Sequence, residues 1–122
     1  MISHPTAAEL SEAIAAFDAQ PSDAADARQV FLARVTDNAR ATVTREAEHG
    51  VRLEAEGLAR LRALLGQDGE FSRLNTEICH ALRNGSLRPL DPAVLAHLRA
   101  TAIGQIAIDQ PGYGGLAALL AD

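Results

Sequence analysis

Residues 100–108 read ATAIGQIAI, nine positions without one charge, inside a segment with the marks of a helix. Ala96, Ala100 and Gly104 recur every fourth residue, and Ala107 lies on the same side. Leu95, Leu98, Ile103 and Ile106 form the opposite side. A helix that is apolar all round is one that neighbours enclose. The large side is expected to face the core. The small side lets another backbone approach, either from the same bundle or from a second chain.

Signals outward from this helix repeat the all-helical theme. Asp91-Pro92 is a cap followed by a first-turn proline and starts it. It runs to about Asp109, and Pro111-Gly112-Tyr113-Gly114-Gly115 breaks it before an apolar tail, LAALLA. At the other end of the chain, Thr6-Ala-Ala-Glu9 spells a capping box, with Pro5 and Leu10 placed as a hydrophobic staple. Leu10, Ala13, Ile14 and Phe17 then share a face until Gln20-Pro21-Ser22 ends helix one.

Asp23 is placed to cap a second helix, because residues 23–49 contain neither glycine nor proline. Its inner stripe is read as Phe31, Leu32, Val35, Ala39, Val43 and Ala47, with Gly50 as the stop. A third helix spans Leu53 to Leu65 with Leu58, Leu61 and Leu65 aligned, and Gly66 ends it. Asp68 caps a fourth, whose stripe is Phe71, Leu74, Ile78 and Leu82 and whose stop is Asn84-Gly85. No period-two alternation of useful length occurs, which argues against strands. Short connections make consecutive helices antiparallel. The expectation is one all-α domain over residues 1–122, an up-and-down bundle of five helices with its core over residues 6–110. The three phenylalanines are expected to meet in that core.

Composition limits the chemistry. The 122 residues carry a net charge of −5, and all eleven cations are arginine. An acidic chain is poorly suited to displace counterions from nucleic acid or to adhere to anionic membranes. Without lysine there is no Schiff base and no P-loop lysine. The single cysteine, Cys79, precludes an internal disulfide and fits a reducing compartment. The N-terminus lacks a signal-peptide pattern, and no apolar run reaches the roughly 20 residues that span a bilayer. A cytoplasmic protein without cofactor is the expectation, more in keeping with a binding module than an enzyme.

Few residues are candidates for chemistry. Glu46-Ala-Glu-His49 and Glu77-Ile-Cys-His80 match the Glu-x-x-His spacing of di-metal bundles. However, His80 lies about 180° from Phe71 on its helix and His49 closes another, so no metal site is expected. Cys79 and His80 diverge by about 100° and do not form a thiol–imidazole pair. His97 is an isolated candidate. Arg34, Asn38 and Arg45 fall within about 40° of one another and could clamp a carboxylate or phosphate, including a CoA-type ligand. Arg28 and Glu46 project onto the inner stripe of helix two and Asn75 onto that of helix four, where polar groups need partners.

The ordered segments HPTAAEL (4–10), FLARVTDNA (31–39), LRALLG (61–66), LNTEICHALRNG (74–85), DPAVLAHLRAT (91–101) and AIDQPGY (107–113) resemble a family of small bacterial proteins that carry a domain of unknown function. The resemblance runs from His4 to Tyr113. Ala19 to Ala27 departs from it in being proline- and alanine-rich, and the tail after Tyr113 extends past it. Members are often encoded beside an aminoglycoside-phosphotransferase-like kinase and an acyl-CoA-dehydrogenase-like enzyme. The resemblance therefore implies a place in acyl or hydroxyacyl metabolism and assigns no catalytic residue. A helical accessory protein that binds the kinase is the leading expectation. Its candidate interface is Ala96, Ala100, Gly104 and Ala107 with Leu116, Leu119 and Leu120 of the tail, and a homodimer through the small face is the rival.

Overall fold

The computed structural model describes residues 5–21 and 26–121. Every regular element among them is helical: α1 (Ala7–Asp18), α2 (Ala27–Leu65), α3 (Phe71–Arg83), α4 (Pro92–Asp109) and α5 (Leu116–Ala121). The all-α class and the number of five helices among the described residues are as expected, but two of the five are different helices from those anticipated. The segments read as helices two and three are one 39-residue helix, and the apolar tail supplies the fifth.

Gly50 does not stop α2. Glycine ends a helix by adopting positive φ, and among the described residues only Gly66 (φ 65°) and Gly85 (φ 79°) do so. Gly50 and Gly57 instead lie on the buried side of α2. A run of buried or half-buried positions, Leu32, Thr36, Ala39, Val43, Glu46, Gly50, Leu53, Gly57, Leu61 and Leu64, advances by threes and fours along the helix. Each interior glycine costs about 1 kcal/mol in helix propensity, which tertiary packing overrides. The threonines on α2 hold their place by bonding back one turn, Thr36 to the Leu32 carbonyl and Thr44 to that of Arg40.

The chain divides into two compact units, Met1–Gly50 and Val51–Asp122. In the first, α1 begins with the capping box: Thr6 Oγ1 accepts from the Glu9 amide (3.2 Å), and the Glu9 carboxylate accepts from the Thr6 amide (2.6 Å). Ile14 is its buried apolar residue, joined by half-buried Leu10, Phe17, Leu32 and Val43. Arg40 donates to both carboxylate oxygens of Asp18 at 3.1 Å. Both groups are half exposed, so the pair contributes well under about 1 kcal/mol. The expected cap at Asp23 and residue His4 lie outside the described residues.

In the second unit, Leu61 of α2 and Leu74 and Ile78 of α3 form the core, with Leu58, Leu64, Leu65, Phe71, Leu82 and Leu87 against it. This is the predicted α3 stripe. Fully burying each such leucine or isoleucine stabilises the fold by about 1.5–3 kcal/mol. Asp68 is not the cap of α3. The N-cap is Glu70, without a side-chain bond, while the Asp68 carboxylate pairs with Arg62 at 3.2 Å. Asp91 does cap α4, accepting from the Ala93 amide at 2.9 Å ahead of Pro92.

Helix α4 buries Val94, His97, Gly104 and Ile108. The expected large-side core is thereby corrected: Leu95 (45%) and Leu98 (44%) are exposed. What selects the buried side is the close approach at Gly104, where an added Cβ would come within 3.1 Å of Leu53 Cδ2. Helix α5 follows a turn closed by Tyr113 N to Gln110 O (2.8 Å) and is tied to α4 by Arg99 donating to the Leu119 carbonyl.

Candidate functional site

Only part of the expected α2 stripe is covered, and its exposed part is the most informative surface in the first unit: Leu32, Ala39 and Val43 are half-buried as expected, but Phe31, Val35 and Ala47 are exposed. Phe31 (63% exposed), Val35 (49%) and Val30 (39%) all face outward, so the expected phenylalanine core does not form around Phe31. At 100° per residue, Arg34, Asn38 and Arg45 fall within the same arc as these apolar residues. Arg34 and Asn38 are exposed and Arg45 is half-buried, its guanidinium donating to Thr42 Oγ1 at 3.0 Å. The arginine–asparagine line therefore runs beside exposed apolar residues on the helix, with Arg45 partly covered. Shallow depressions of about 290 Å³ beside Ile106, Asp109, Gln110 and Tyr113 and about 240 Å³ beside Arg62, Gly66, Gln67 and Asp68 involve none of the three.

Polar residues read onto inner stripes are resolved individually. Arg28 and Asn75 are exposed and need no buried partner. Glu46 is half-buried over Gly50, whose missing Cβ leaves room for it: a Cβ there would meet Glu46 Oε1 at 2.7 Å.

The candidate interface residues have unequal fates. Ala96 and Leu120 are exposed, Ala100, Ala107 and Leu119 are half-buried, and Gly104 and Leu116 are buried by the chain itself. Of the two Glu-x-x-His motifs, His49, Glu77 and His80 are exposed and Glu46 is half-buried, and His49 is 3.8 Å from Glu48. Among the described residues no three His, Cys, Asp or Glu side chains gather as metal ligands would. Cys79 is half-buried.

Sequence reasoning did not anticipate the surroundings of His97. It is 2% exposed, on the face of α4 that meets α2 in the second unit. Burial favours the neutral imidazole, and the nearby Arg60 charge adds to that, so its pKa is held below the ordinary histidine value. The signal is present as spacing, since His97 lies seven residues before Gly104 and hence on the same face, but the large residues of α4 point to a different phase.

The family model described as Domain of unknown function (DUF6285) matches residues 23–113. The chain belongs to this family. The match spans the segments in which the resemblance was read from Phe31 onward, and α1 and α5 lie beyond it. No curated protein and no solved structure matches the chain significantly. Among the described residues, no helix is long and apolar enough to cross a membrane.

Proposed function

We propose that this family member is a non-catalytic helical accessory protein of the cytoplasm that docks on a phosphotransferase-like kinase acting in acyl or hydroxyacyl metabolism. The observation that carries the reading is the open face of α2, where Val30, Phe31 and Val35 are exposed among Arg34, Asn38 and Arg45. Phenylalanine and arginine are enriched at protein interfaces, and an exposed aromatic flanked by polar groups matches the core-and-rim pattern of a docking patch. The face holds cations in a chain of net charge −5. Its complement is therefore a partner surface that is apolar at its centre and acidic around it. The kinase is suggested by the gene neighbourhood that the family resemblance implies.

This face serves a protein better than a small ligand, because the arginines line a convex helix. Homodimerisation through the small face of α4 gains no support, because Leu53 of the same chain fills the space at Gly104. Co-expression with the neighbouring kinase tests the proposal. The two are expected to co-elute from a sizing column at micromolar concentration. Replacing Phe31 and Val35 by glutamate should weaken binding by about 30-fold or more, the scale of a hot spot of about 2 kcal/mol, with the melting temperature unchanged. Separate elution of the wild-type proteins, or full binding by F31E/V35E, would overturn the reading.

A further inference from the structure

A second cluster lies in the Val51–Asp122 unit, away from the α2 docking face. Close contact between Leu53 and Gly104 fixes one point of α2 against α4. Seven residues further along α2 is Arg60, and seven residues back along α4 is His97; each step is about 10.5 Å of helix. The Arg60 charge acts on His97, so the two are neighbours, and with the Leu53–Gly104 contact this pairing has α2 and α4 run antiparallel here. Thr101, one turn from His97, lies on the same face and is half-buried.

Three buried polar atoms here make no hydrogen bond: Arg60 Nε, His97 Nδ1 and Thr101 Oγ1. Arg60 also finds no ion-pair partner among the described residues. Buried polar groups are almost always satisfied, and here half-buried Arg60 brings a positive charge with no counter-charge beside it. Histidine and threonine can donate or accept, but a guanidinium only donates. The cluster therefore lacks acceptors and negative charge together. Bridging water supplies acceptors without charge; an oxyanion supplies both. On one side the Arg60 Nη2 lies 3.7 Å from where a Gly57 Cβ would be, with the Phe71 ring filling the space over the same glycine.

The geometry points to a binding site for a small oxyanion, a carboxylate or a phosphate group, held by Arg60, Thr101 and His97 between α2 and α4. The guanidinium pairs with the anion's charge, the Thr101 hydroxyl donates to it, and the neutral imidazole offers one N–H. A free anion and the acidic end of a larger metabolite share this chemistry.

The test is NMR of the full chain, following the histidine ring nitrogens while inorganic phosphate or acetate is added at constant ionic strength and neutral pH. The His97 signals should shift and saturate at millimolar concentration, while those of exposed His49 and His80 stay still. Saturation by phosphate alone assigns a phosphate group, and saturation by acetate alone assigns a carboxylate. R60Q should raise the apparent dissociation constant by about tenfold or more. T101V, which keeps the side-chain shape, should weaken binding if R60Q does not fold. Wild-type His97 signals that ignore both anions, or that merely drift with those of His49 and His80, would overturn the proposal and leave the cluster to water. An undiminished response in R60Q or T101V would overturn it equally.

Discussion

Replacing Gly104 decides whether the small side of α4 is an internal contact. An alanine Cβ at this position would approach Leu53 Cδ2 to 3.1 Å, Cδ1 to 3.4 Å and Cγ to 3.7 Å. Leu53 is half-buried and can retreat by a few tenths of an ångström. The strain of G104A is thus small and is offset by about 0.8–1.0 kcal/mol of helix propensity, so its stability should match the wild type or exceed it slightly. G104L is different in kind, because its branched end must enter space that Leu53 already fills. Overpacking of this sort costs about 1–3 kcal/mol or more, and propensity recovers only part of it. For a chain of this size the melting temperature should fall by roughly 4–12 °C. Thermal melts followed by circular dichroism measure this, and light scattering follows assembly in parallel. Leu53→Ala removes the opposing side chain, so G104L should cost at least about 1 kcal/mol less in that background. A G104L protein that melts like the wild type but changes its oligomeric state would refute the internal contact. Equal costs of G104L in both backgrounds would show that Leu53 is not the opposing group.

Acid should weaken the fold through His97. Its folded-state pKa lies below the unfolded value, so its contribution is complete above about pH 6.5 and is lost as pH falls through the folded-state pKa, with a slope of at most about 1.4 kcal/mol per pH unit. H97Q should flatten urea-determined stability across that window, and an unchanged slope would exclude His97 as its source. G57A should destabilise despite better helix propensity, because the new Cβ would lie 2.9 Å from Phe71 Cε2; F71L should relieve it, as judged by denaturant midpoints. Thr6→Ala should remove hydrogen-exchange protection from the first turn of α1 and let the Glu9 carboxyl, held below its ordinary pKa by its bonds to Thr6, titrate at higher pH. If NMR shows Glu9 unmoved in that variant, the Thr6 hydroxyl does not hold its charge and the Thr6 amide, which alanine keeps, does.

Elements with local signals were legible in the sequence. The capping box at Thr6, the Asp91-Pro92 start and the positive-φ stops at Gly66 and Gly85 each depend on a few neighbouring residues, and each occurs where it was read. The α3 stripe was equally plain, because Phe71, Leu74, Ile78 and Leu82 are its large apolar residues at helical spacing and polar residues separate them. A helix with one apolar stripe can be phased from sequence alone.

Helices α2 and α4 offer more than one stripe, and there the largest residues mislead. On α2, Phe31 and Val35 attract the eye, yet the buried side runs through Ala39, Gly50 and Gly57. On α4, Leu95 and Leu98 are exposed while Gly104 is buried. The shared physical reason is that close helix packing is limited by the bulk at the contact, so a glycine on a continuous helix marks a packed face as readily as an end. Gly50 reads as an end by the rule for stops, which requires positive φ, a property of the folded backbone that residue identity alone does not disclose. Phasing α4 on Gly104 places His97 and Thr101 on the buried face at once, and phasing α2 on Gly50 and Gly57 turns Arg34 outward and Phe31 to the side. Both candidate sites thus follow from treating the interior glycines as packing surfaces. That makes G104L and G57A direct tests of the geometry on which the two sites rest.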